Sequence, residues 1–340
     1  MKHLFYLHSH ITYYVSMAVI KSKEIPEEDI VFIISRNYNN KGLKRKITLD
    51  VSLIHDEMNH YLIDRFYKLY AFIPKIDGLI EEKTNGEKYT VYLPLIENKL
   101  MQIIATNKKC ISLNIIEEGA TAYAPYFMHF RFKNKFEGLL KNTLNLFLSL
   151  IRNRFYYVKV YDLRRFKKSS PPIFYSITSD SFKGLPYHIE ILPPVREELE
   201  AYSQPNMKVL VLEGAVEQGN LKIDTLLKGI QHILDENSFK DLYVKYHPVQ
   251  TTENRTKIIE LITSNGVTQI TIADEIPFEQ ITINNNNIMV FGFTSSLLYY
   301  AKKFGCTVIS YEDVLLEDDL FKKFRSENNF NLKDLLLSSR

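Results

Sequence analysis

Residues 288–304 read IMVFGFTSSLLYYAKKF, and this stretch decides the fold. A short apolar strand runs into Gly292, which allows a sharp turn, and hydroxyl side chains then open a helical pattern. This order is typical of a βα unit in a parallel sheet. Thr294, Ser295 and Ser296 stand at the predicted helix start, where free N–H groups and the helix dipole favour an anion. A plain N-cap is the alternative interpretation, because Ser and Thr are common caps.

The same alternation of short apolar runs and helical patterns occurs in both halves of the chain. It predicts two α/β domains that face each other across a cleft. Because prolines accumulate after residue 170, we place the first domain at 1–185, a linker at 186–206 and the second domain at 207–340. The predicted strands are 3–7, 30–34, 102–105, 111–116, 208–212, 242–246, 268–272, 288–291 and 308–310, and the predicted helices are 11–21, 60–69, 223–234, 253–264 and 295–304.

The composition is that of a globular protein, with 45% hydrophobic and 24% charged residues in 340. Lys and Arg (43) nearly balance Asp and Glu (40), which argues against a nucleic-acid-coating protein. The two cysteines, Cys110 and Cys306, are too few for a disulfide framework or a zinc cage. The low cysteine count and the lack of a recognisable signal peptide at the amino terminus favour a cytoplasmic location.

The apolar run from Leu139 to Ile151 is the nearest approach to a membrane segment, but polar residues interrupt it. Its basic surroundings are compatible with an amphipathic helix that docks on anionic lipid, so peripheral contact with the inner face of the membrane stays open. A helix that faces the core and carries a solvated basic rim is the interpretation that we favour.

Three sets of polar residues follow predicted strands, where open α/β sheets place ligands. In the first set, Glu117-Glu118-Gly119, two carboxylates precede a glycine turn, so one of them could sit in a cleft with a raised pKa and remove a hydroxyl proton. A solvated acidic turn is the alternative.

In the second set, Lys245-Tyr246-His247-Pro248, the strand aims His247 out of the sheet edge, where imidazole can stabilise a departing phosphate. An ordinary polar contact is the alternative there. The third set is Thr294-Ser295-Ser296.

Several motifs are missing from the sequence. It contains no P-loop, no G-x-G-x-x-G fingerprint, no G-x-S-x-G elbow and no D-x-D pair. His8-Ser9-His10 lacks the partners that a metal site needs, so we predict no metal and no cofactor. If the protein handles an activated sugar, a donor with a single phosphate and no metal fits better, because its leaving group carries less charge.

The ordered set Glu117-Glu118-Gly119, His247-Pro248 and Ser295-Ser296-Leu297 resembles that of bacterial sialyltransferases of the GT-B fold. These are the lipooligosaccharide, capsule and polysialic acid enzymes, and the lipooligosaccharide type looks the most similar. The segment Ile276-Pro277-Phe278-Glu279 resembles the place where these enzymes offer a glutamate to the ribose of CMP. The resemblance implies two Rossmann-like domains and an inverting, metal-independent transfer of sialic acid from CMP-sialic acid to a sugar hydroxyl of a surface glycan.

The resemblance also implies roles for single residues. Glu118 would be the general base, with Glu117 as the other candidate, and His247 would be the acid or phosphate stabiliser. The implied substrate contacts are Ser295 and Ser296 for phosphate, Glu279 for ribose and Lys245 with Tyr246 for cytosine, with Gly119, Pro248 and Thr294 in the same set. A homodimer is compatible with the resemblance.

Other residues and functions remain open on sequence grounds. Residues 213–219 could be the nucleotide-facing loop, although they match no motif. His8, His10 and Arg36 follow strands and could face a substrate, but we favour plain surface polarity for them. The alternative functions are transfer of another CMP-activated acid such as Kdo, a GT-B enzyme that uses UDP- or GDP-sugars, and a non-catalytic nucleotide- or carbohydrate-binding module.

Overall fold

The chain folds into two units. The computed structural model describes residues 1–38, 43, 47–59, 66–123, 135–150, 154–196, 202, 204–285 and 287–327. The first unit comprises residues 1–195 and the second comprises residues 196–340. Each unit has its own hydrophobic core around its own parallel sheet.

The first unit contains a seven-stranded sheet in the order β3-β2-β1-β4-β5-β6-β7, and every pair of neighbours is parallel. Its strands are β1 (Lys2–Leu7), β2 (Ile30–Ile34), β3 (Thr48–Asp50), β4 (Tyr89–Leu93), β5 (Cys110–Ile116), β6 (Ile173–Ser176) and β7 (His188–Ile191). Its described helices are α1 (His10–Ser22), α2 (Ser52–Asn59), α3 (Phe66–Leu69), α4 (Phe72–Thr84), α5 (Lys99–Thr106) and α6 (Lys135–Leu150). Short 3₁₀ turns cover Glu27–Asp29 and Ala120–Tyr123. The strand order reverses between β1 and β4, and such a switch point is where open sheets bind ligands.

The second unit contains a five-stranded parallel sheet in the order β10-β9-β8-β11-β12. Its strands are β8 (Lys208–Val211), β9 (Asp241–Lys245), β10 (Thr268–Ile272), β11 (Met289–Gly292) and β12 (Thr307–Ser310). Its described helices are α7 (Ile223–Glu236), α8 (Thr252–Ser264), α9 (Phe278–Asn284), α10 (Ser296–Lys303), α11 (Glu312–Leu315) and α12 (Asp319–Glu327). The switch point of this sheet lies between β8 and β11.

The strand–glycine–helix stretch at 288–304 has the predicted structure, since β11 ends at Gly292 and α10 follows. A Cβ atom on Gly292 would lie 2.7 Å from the carbonyl oxygen of Val211 on neighbouring β8. Glycine is therefore required for the close pairing of the two strands at the switch point.

Three predictions about local structure need correction. The segment 102–105 was expected to be a strand, but it lies inside helix α5, whose residues from Leu100 to Ala105 are all buried. Of the predicted helix 60–69, only α3 lies within the described residues. The linker expected at 186–206 contains β7, which pairs with β6, so the first unit extends to Val195 rather than to residue 185. None of the described helices is both long and apolar enough to span a bilayer.

Candidate functional site

The sequence-predicted acidic set lies at the carboxyl end of β5, in the first unit. Glu117 and Glu118 follow the last strand residue, Ile116. Gly119 then has a φ of +131°, a conformation that residues with a Cβ rarely adopt. The glycine turn predicted from the sequence is present, and it separates the two glutamates from the 3₁₀ turn Ala120–Tyr123.

Glu117 is a structural residue. Its side chain is fully buried, and each carboxylate oxygen has two donors. The donors are the hydroxyl of Tyr123, the hydroxyl of Thr178 at 3.2 Å, the hydroxyl of Ser176 at 2.8 Å and the main-chain N–H of Ile177 at 3.0 Å. A carboxylate with four donors has no free lone pair directed at a substrate, so the structure does not support Glu117 as a base.

Glu118 has the opposite surroundings. Its side chain is 9% exposed, and its Oε1 atom is buried without a hydrogen-bond partner among the described residues. Burial raises the pKa of this carboxyl group to about 7, while the Thr121 side chain and the charge of Arg36 oppose the rise and Glu97 adds to it. A carboxyl group that loses its proton near neutral pH is suited to general base catalysis. Of the two adjacent glutamates, Glu118 is therefore the candidate catalytic group.

His8, which follows β1, is a polar neighbour of Glu118. Its Nε2 atom lies 3.4 Å from Oε2 of Glu118, and its side chain is only 4% exposed. Burial and the positive charge of Arg36 lower the pKa of His8 to about 3, so the imidazole is neutral at physiological pH. The main-chain N–H of His8 donates to the hydroxyl of Thr12 at 3.2 Å, which fixes the start of α1 beside the site.

The assignment of plain surface polarity to His8 was therefore wrong, because this histidine is buried against the candidate base. Arg36 is exposed in a left-handed turn at φ +57°, close enough for its charge to act on both His8 and Glu118. His10 instead contacts the hydroxyl of Tyr38 through Nδ1 at 3.2 Å. When Glu118 is ionised, a neutral His8 can donate Nε2–H to it and thereby hold its orientation.

His247 follows strand β9 in the second unit, as Glu118 follows β5 in the first. Its Nδ1 atom accepts a hydrogen bond from the main-chain N–H of Val249 at 3.3 Å, so its proton resides on Nε2. The ring packs against Gly214, where a Cβ atom would lie 2.9 Å from Nδ1. Burial lowers the pKa of His247, and the charge of Glu217 opposes this effect. His247 is therefore a fixed neutral imidazole that can donate Nε2–H outward.

Other groups gather at the switch point of the second sheet. Glu213 follows β8 and accepts a hydrogen bond from the main-chain N–H of Thr294 at 3.5 Å. Burial raises the pKa of Glu213 to about 7. Ser295 is the N-cap of α10, and its hydroxyl accepts from the N–H of Leu297 at 3.3 Å. Ser296, the first residue of that helix, is half-buried. The hydroxyl groups of Ser295 and Ser296 lie at the start of α10, where the helix dipole favours an anion.

Lys245 and Tyr246 do not reach this edge. The ammonium group of Lys245 is buried and donates to the carbonyl oxygens of Ala273, Asp274 and Ile276 at 2.7 to 3.2 Å. Tyr246 is 2% exposed within the core. The expected contact of these two residues with a cytosine ring is therefore not supported, because both side chains are committed to the protein interior.

Two further predicted contacts have mixed placements. Glu279 lies in the first turn of α9 with 7% exposure, and burial raises its pKa to about 7. Pro248 is exposed in the turn after β9. In this turn, the main-chain N–H of Gln250 donates to the carbonyl oxygen of His247 at 2.9 Å. Glu213 and the buried His8 are the site residues that sequence reasoning undervalued. The only signal for each was its position directly after a strand.

A comparison with protein families identifies the chain. Residues 17–312, which are 296 of the 340 residues, match the alpha-2,8-polysialyltransferase family. The chain belongs to this family. The resemblance to bacterial sialyltransferases is thereby confirmed. This member of the polysialyltransferase family is accordingly a glycosyltransferase, as predicted. Among curated proteins, none matches its sequence significantly.

Solved structures with similar folds have very different sequences. A UDP-N-acetylglucosamine 2-epimerase of Listeria monocytogenes is 13% identical, with a TM-score of 0.50 over 96% of this chain and 89% of its own. The UDP-GlcNAc 2-epimerase of Methanocaldococcus jannaschii is also 13% identical, with a TM-score of 0.49 over 97% of this chain and 88% of its own. MurG of Acinetobacter baumannii is 10% identical, with a TM-score of 0.42 over 99% and 92%. The similarity to the Listeria protein, with two parallel sheets, confirms the predicted GT-B type of fold.

Proposed function

We propose that this polysialyltransferase-family protein transfers sialic acid from CMP-sialic acid to a sugar hydroxyl of a surface glycan, with inversion and without a metal. The observation that carries the proposal is the buried carboxyl group of Glu118, whose pKa is raised to about 7 and which lies 3.4 Å from the neutral imidazole of His8. General base catalysis needs a carboxylate that is ionised near pH 7, oriented and shielded from water, and Glu118 meets these conditions.

The chemistry can be assigned to atoms of the chain. Glu118 takes the proton of the acceptor hydroxyl, whose oxygen then attacks the anomeric carbon of sialic acid. The bond between that carbon and the phosphate oxygen of CMP breaks as the new glycosidic bond forms. Oε1 of Glu118 has no hydrogen-bond partner among the described residues and is the atom that accepts the incoming proton, while Oε2 lies 3.4 Å from Nε2 of His8.

The second unit supplies the nucleotide side of the proposal. His247 donates Nε2–H to the departing phosphate, and the hydroxyls of Ser295 and Ser296 with the start of α10 stabilise its charge. Thr294 is held in place by Glu213. Glu279 stays the candidate for the ribose.

A cytoplasmic location forms part of the proposal. Cys110 and Cys306 are both free and buried, which is compatible with a reducing compartment.

A donor panel tests the proposal. The protein is incubated in EDTA with CMP-sialic acid, CMP-Kdo or UDP-sugars and with galactoside and sialoside acceptors, and the products are read by mass spectrometry. We expect a sialylated product from CMP-sialic acid alone. Product from CMP-Kdo or from a UDP-sugar would replace the proposed donor, and CMP binding without any product would indicate a non-catalytic module.

Matched histidine variants test the site. His247→Ala should lower transfer by about 10²–10⁴, the usual scale for losing acid–base assistance. His188→Ala is the control, because His188 is an exposed histidine on the edge strand β7 and should leave transfer unchanged. Equal rates in both variants would remove His247 from the mechanism.

A further inference from the structure

Strands β4 and β5, in the middle of the first sheet, alternate between apolar and polar side chains. On one face their residues belong to the hydrophobic core, as Val91, Leu93, Leu113 and Ile115. On the other face their residues form a polar patch, which consists of Thr90, Tyr92, Ser112 and Asn114. Strands of parallel sheets are normally apolar on both faces, because helices cover both. A polar patch on two central strands therefore requires a reason of its own.

The polar patch is the floor of a cavity of about 510 Å³. This volume lies within the usual range of small-molecule sites, about 300–1,000 Å³. The walls come from residues 170–173 and 186–188, which precede or begin β6 and β7. The cavity thus lies toward the amino ends of these strands, whereas Glu118 follows the carboxyl end of β5. It is separate from the candidate catalytic group.

Two groups of the polar patch have no partner among the described residues. Thr90 is 7% exposed, and its hydroxyl group makes no hydrogen bond with any of them. Asn114 is 5% exposed, and its side-chain carbonyl oxygen accepts from the main-chain N–H of Ile173 at 3.0 Å. That bond turns the NH2 group of Asn114 toward the cavity. Because buried polar groups are rarely left unpaired, the two groups indicate a polar ligand.

Hydrogen bonds hold the rim of the cavity in place. The hydroxyl of Ser170 lies 3.0 Å from that of Ser112, and the N–H and hydroxyl of Ser169 donate to the carbonyl of Ile111 at 3.3 and 2.7 Å. Ile111 is the extra residue where the pairing of β5 with β4 shifts its register, a feature that redirects side chains. The prolines at 171–172 stiffen the same wall. A ligand would therefore bind with little ordering of the chain.

The lining residues restrict the chemistry of the ligand. None of the described residues around the cavity is Lys, Arg, Asp or Glu, so a charged ligand would lose its hydration without gaining an ion pair. The cations nearby, Lys167 and Lys168, line a different cavity of about 370 Å³. A purely apolar ligand would leave the hydroxyl of Thr90 and the amide of Asn114 unpaired. An uncharged sugar meets both conditions, because its hydroxyls donate and accept while its C–H faces pack on proline and tyrosine walls.

We propose that the cavity on β4 and β5 is a second carbohydrate site, which binds an uncharged mono- or disaccharide through Thr90, Tyr92 and Asn114. The NH2 group of Asn114 donates to a sugar oxygen, and the Thr90 hydroxyl donates or accepts. The hydroxyl of Tyr92, which lies 3.2 Å from Nδ1 of His3, supplies a further acceptor lone pair. The site goes beyond the transfer reaction, since it would hold an uncharged part of a glycan away from the reacting hydroxyl.

Sugar binding to the full chain tests the proposal. The probes are lactose, N,N′-diacetylchitobiose and N-acetylneuraminic acid, and binding is measured by calorimetry and saturation-transfer NMR. We expect saturable binding of at least one of the two neutral disaccharides. Thr90→Val removes the hydroxyl at nearly constant shape and should weaken that binding by about fivefold to tenfold. Thr90→Ser keeps a hydroxyl and should bind like the wild type.

The matched control is Thr48→Val, because Thr48 lies on β3 at the opposite edge of the same sheet. It should bind the disaccharide like the wild type, and the thermal midpoints of all variants should stay close to that of the wild type. The proposal would be overturned if neither neutral disaccharide bound, or if Thr90→Val bound as tightly as the wild type. Weaker binding of N-acetylneuraminic acid in Thr90→Val would assign the cavity to an acidic sugar and would also contradict it. None of these measurements requires transfer, so they are independent of the role of Glu118.

Discussion

Two adjacent glutamates with opposite surroundings permit a sharp experiment, in which each is changed to glutamine. In Glu117→Gln, an NH2 group replaces one carboxylate oxygen, and it cannot accept hydrogen bonds from the donors that this oxygen had. Of the four hydrogen bonds to Glu117, at least two are lost. Hydrogen bonds to charged groups contribute about 1.5–3 kcal/mol each, so we expect the free energy of unfolding to fall by about 3–6 kcal/mol.

Glu118→Gln should behave differently. Burial raises the pKa of Glu118 from 4.5 to about 7, so the stability of the folded state is greatest below pH 4.5 and declines as the pH rises through 7. At about 1.4 kcal/mol per pKa unit, the ionised carboxylate costs on the order of 3 kcal/mol above pH 8. Glutamine removes this cost. The variant should be more stable than the wild type by about 1 kcal/mol at pH 5.5 and by about 3 kcal/mol at pH 8.5, and it should have no transfer activity.

Urea unfolding at pH 5.5 and 8.5, together with transfer rates for the folded protein, checks both expectations. A stable but inactive Glu117→Gln variant would refute the reasoning, because it would make Glu117 the base. An active Glu118→Gln variant that is several kcal/mol less stable would refute it equally.

Three further outcomes follow from the site. The kcat/KM of the wild type should rise with pH through about 7, as Glu118 loses its proton, and a pH–rate profile from pH 5 to 9 without this rise would contradict the assignment. Gly214→Ala should lower transfer more than stability, because the new Cβ would lie 2.4 Å from Cγ2 of Val249 and 2.9 Å from Nδ1 of His247. Steady-state kinetics and the thermal midpoint measure the two effects, and unchanged kinetics would contradict the packing of His247 against Gly214. Lys245→Met should reduce the free energy of unfolding by about 2–4 kcal/mol, since three carbonyl groups lose their hydrogen-bond donor. The folded fraction should keep its KM for the nucleotide sugar, and a raised KM with full stability would restore the expected nucleotide contact.

The parallel architecture was predictable where strands and helices had distinct periods. The second half shows this best, because each predicted strand there lies within about one residue of β8 to β12. Helix α5 was missed because an apolar run buried on all sides lacks the helical period, and a short run of this kind is typical of a buried strand as well. Strands β6 and β7 were missed because prolines flank them and obscure their pattern.

The candidate site was predictable only as positions after strands. The sequence pointed to the Glu117-Glu118 pair but could not choose between its members, since the choice depends on donors from residues 176–178, far along the chain. The same reason explains Lys245, whose carbonyl partners come from the loop at 273–276. Contacts between distant segments leave no local periodicity to detect.

The carboxylate of Glu117 links two segments that are distant in the sequence. It joins the end of β5 to Ser176, 59 residues later, and so holds the end of β6 beside the candidate base. Lengthening such a loop has only a small entropic cost. An insertion in an exposed part of the intervening segment would therefore leave the carboxyl end of β5 in its place.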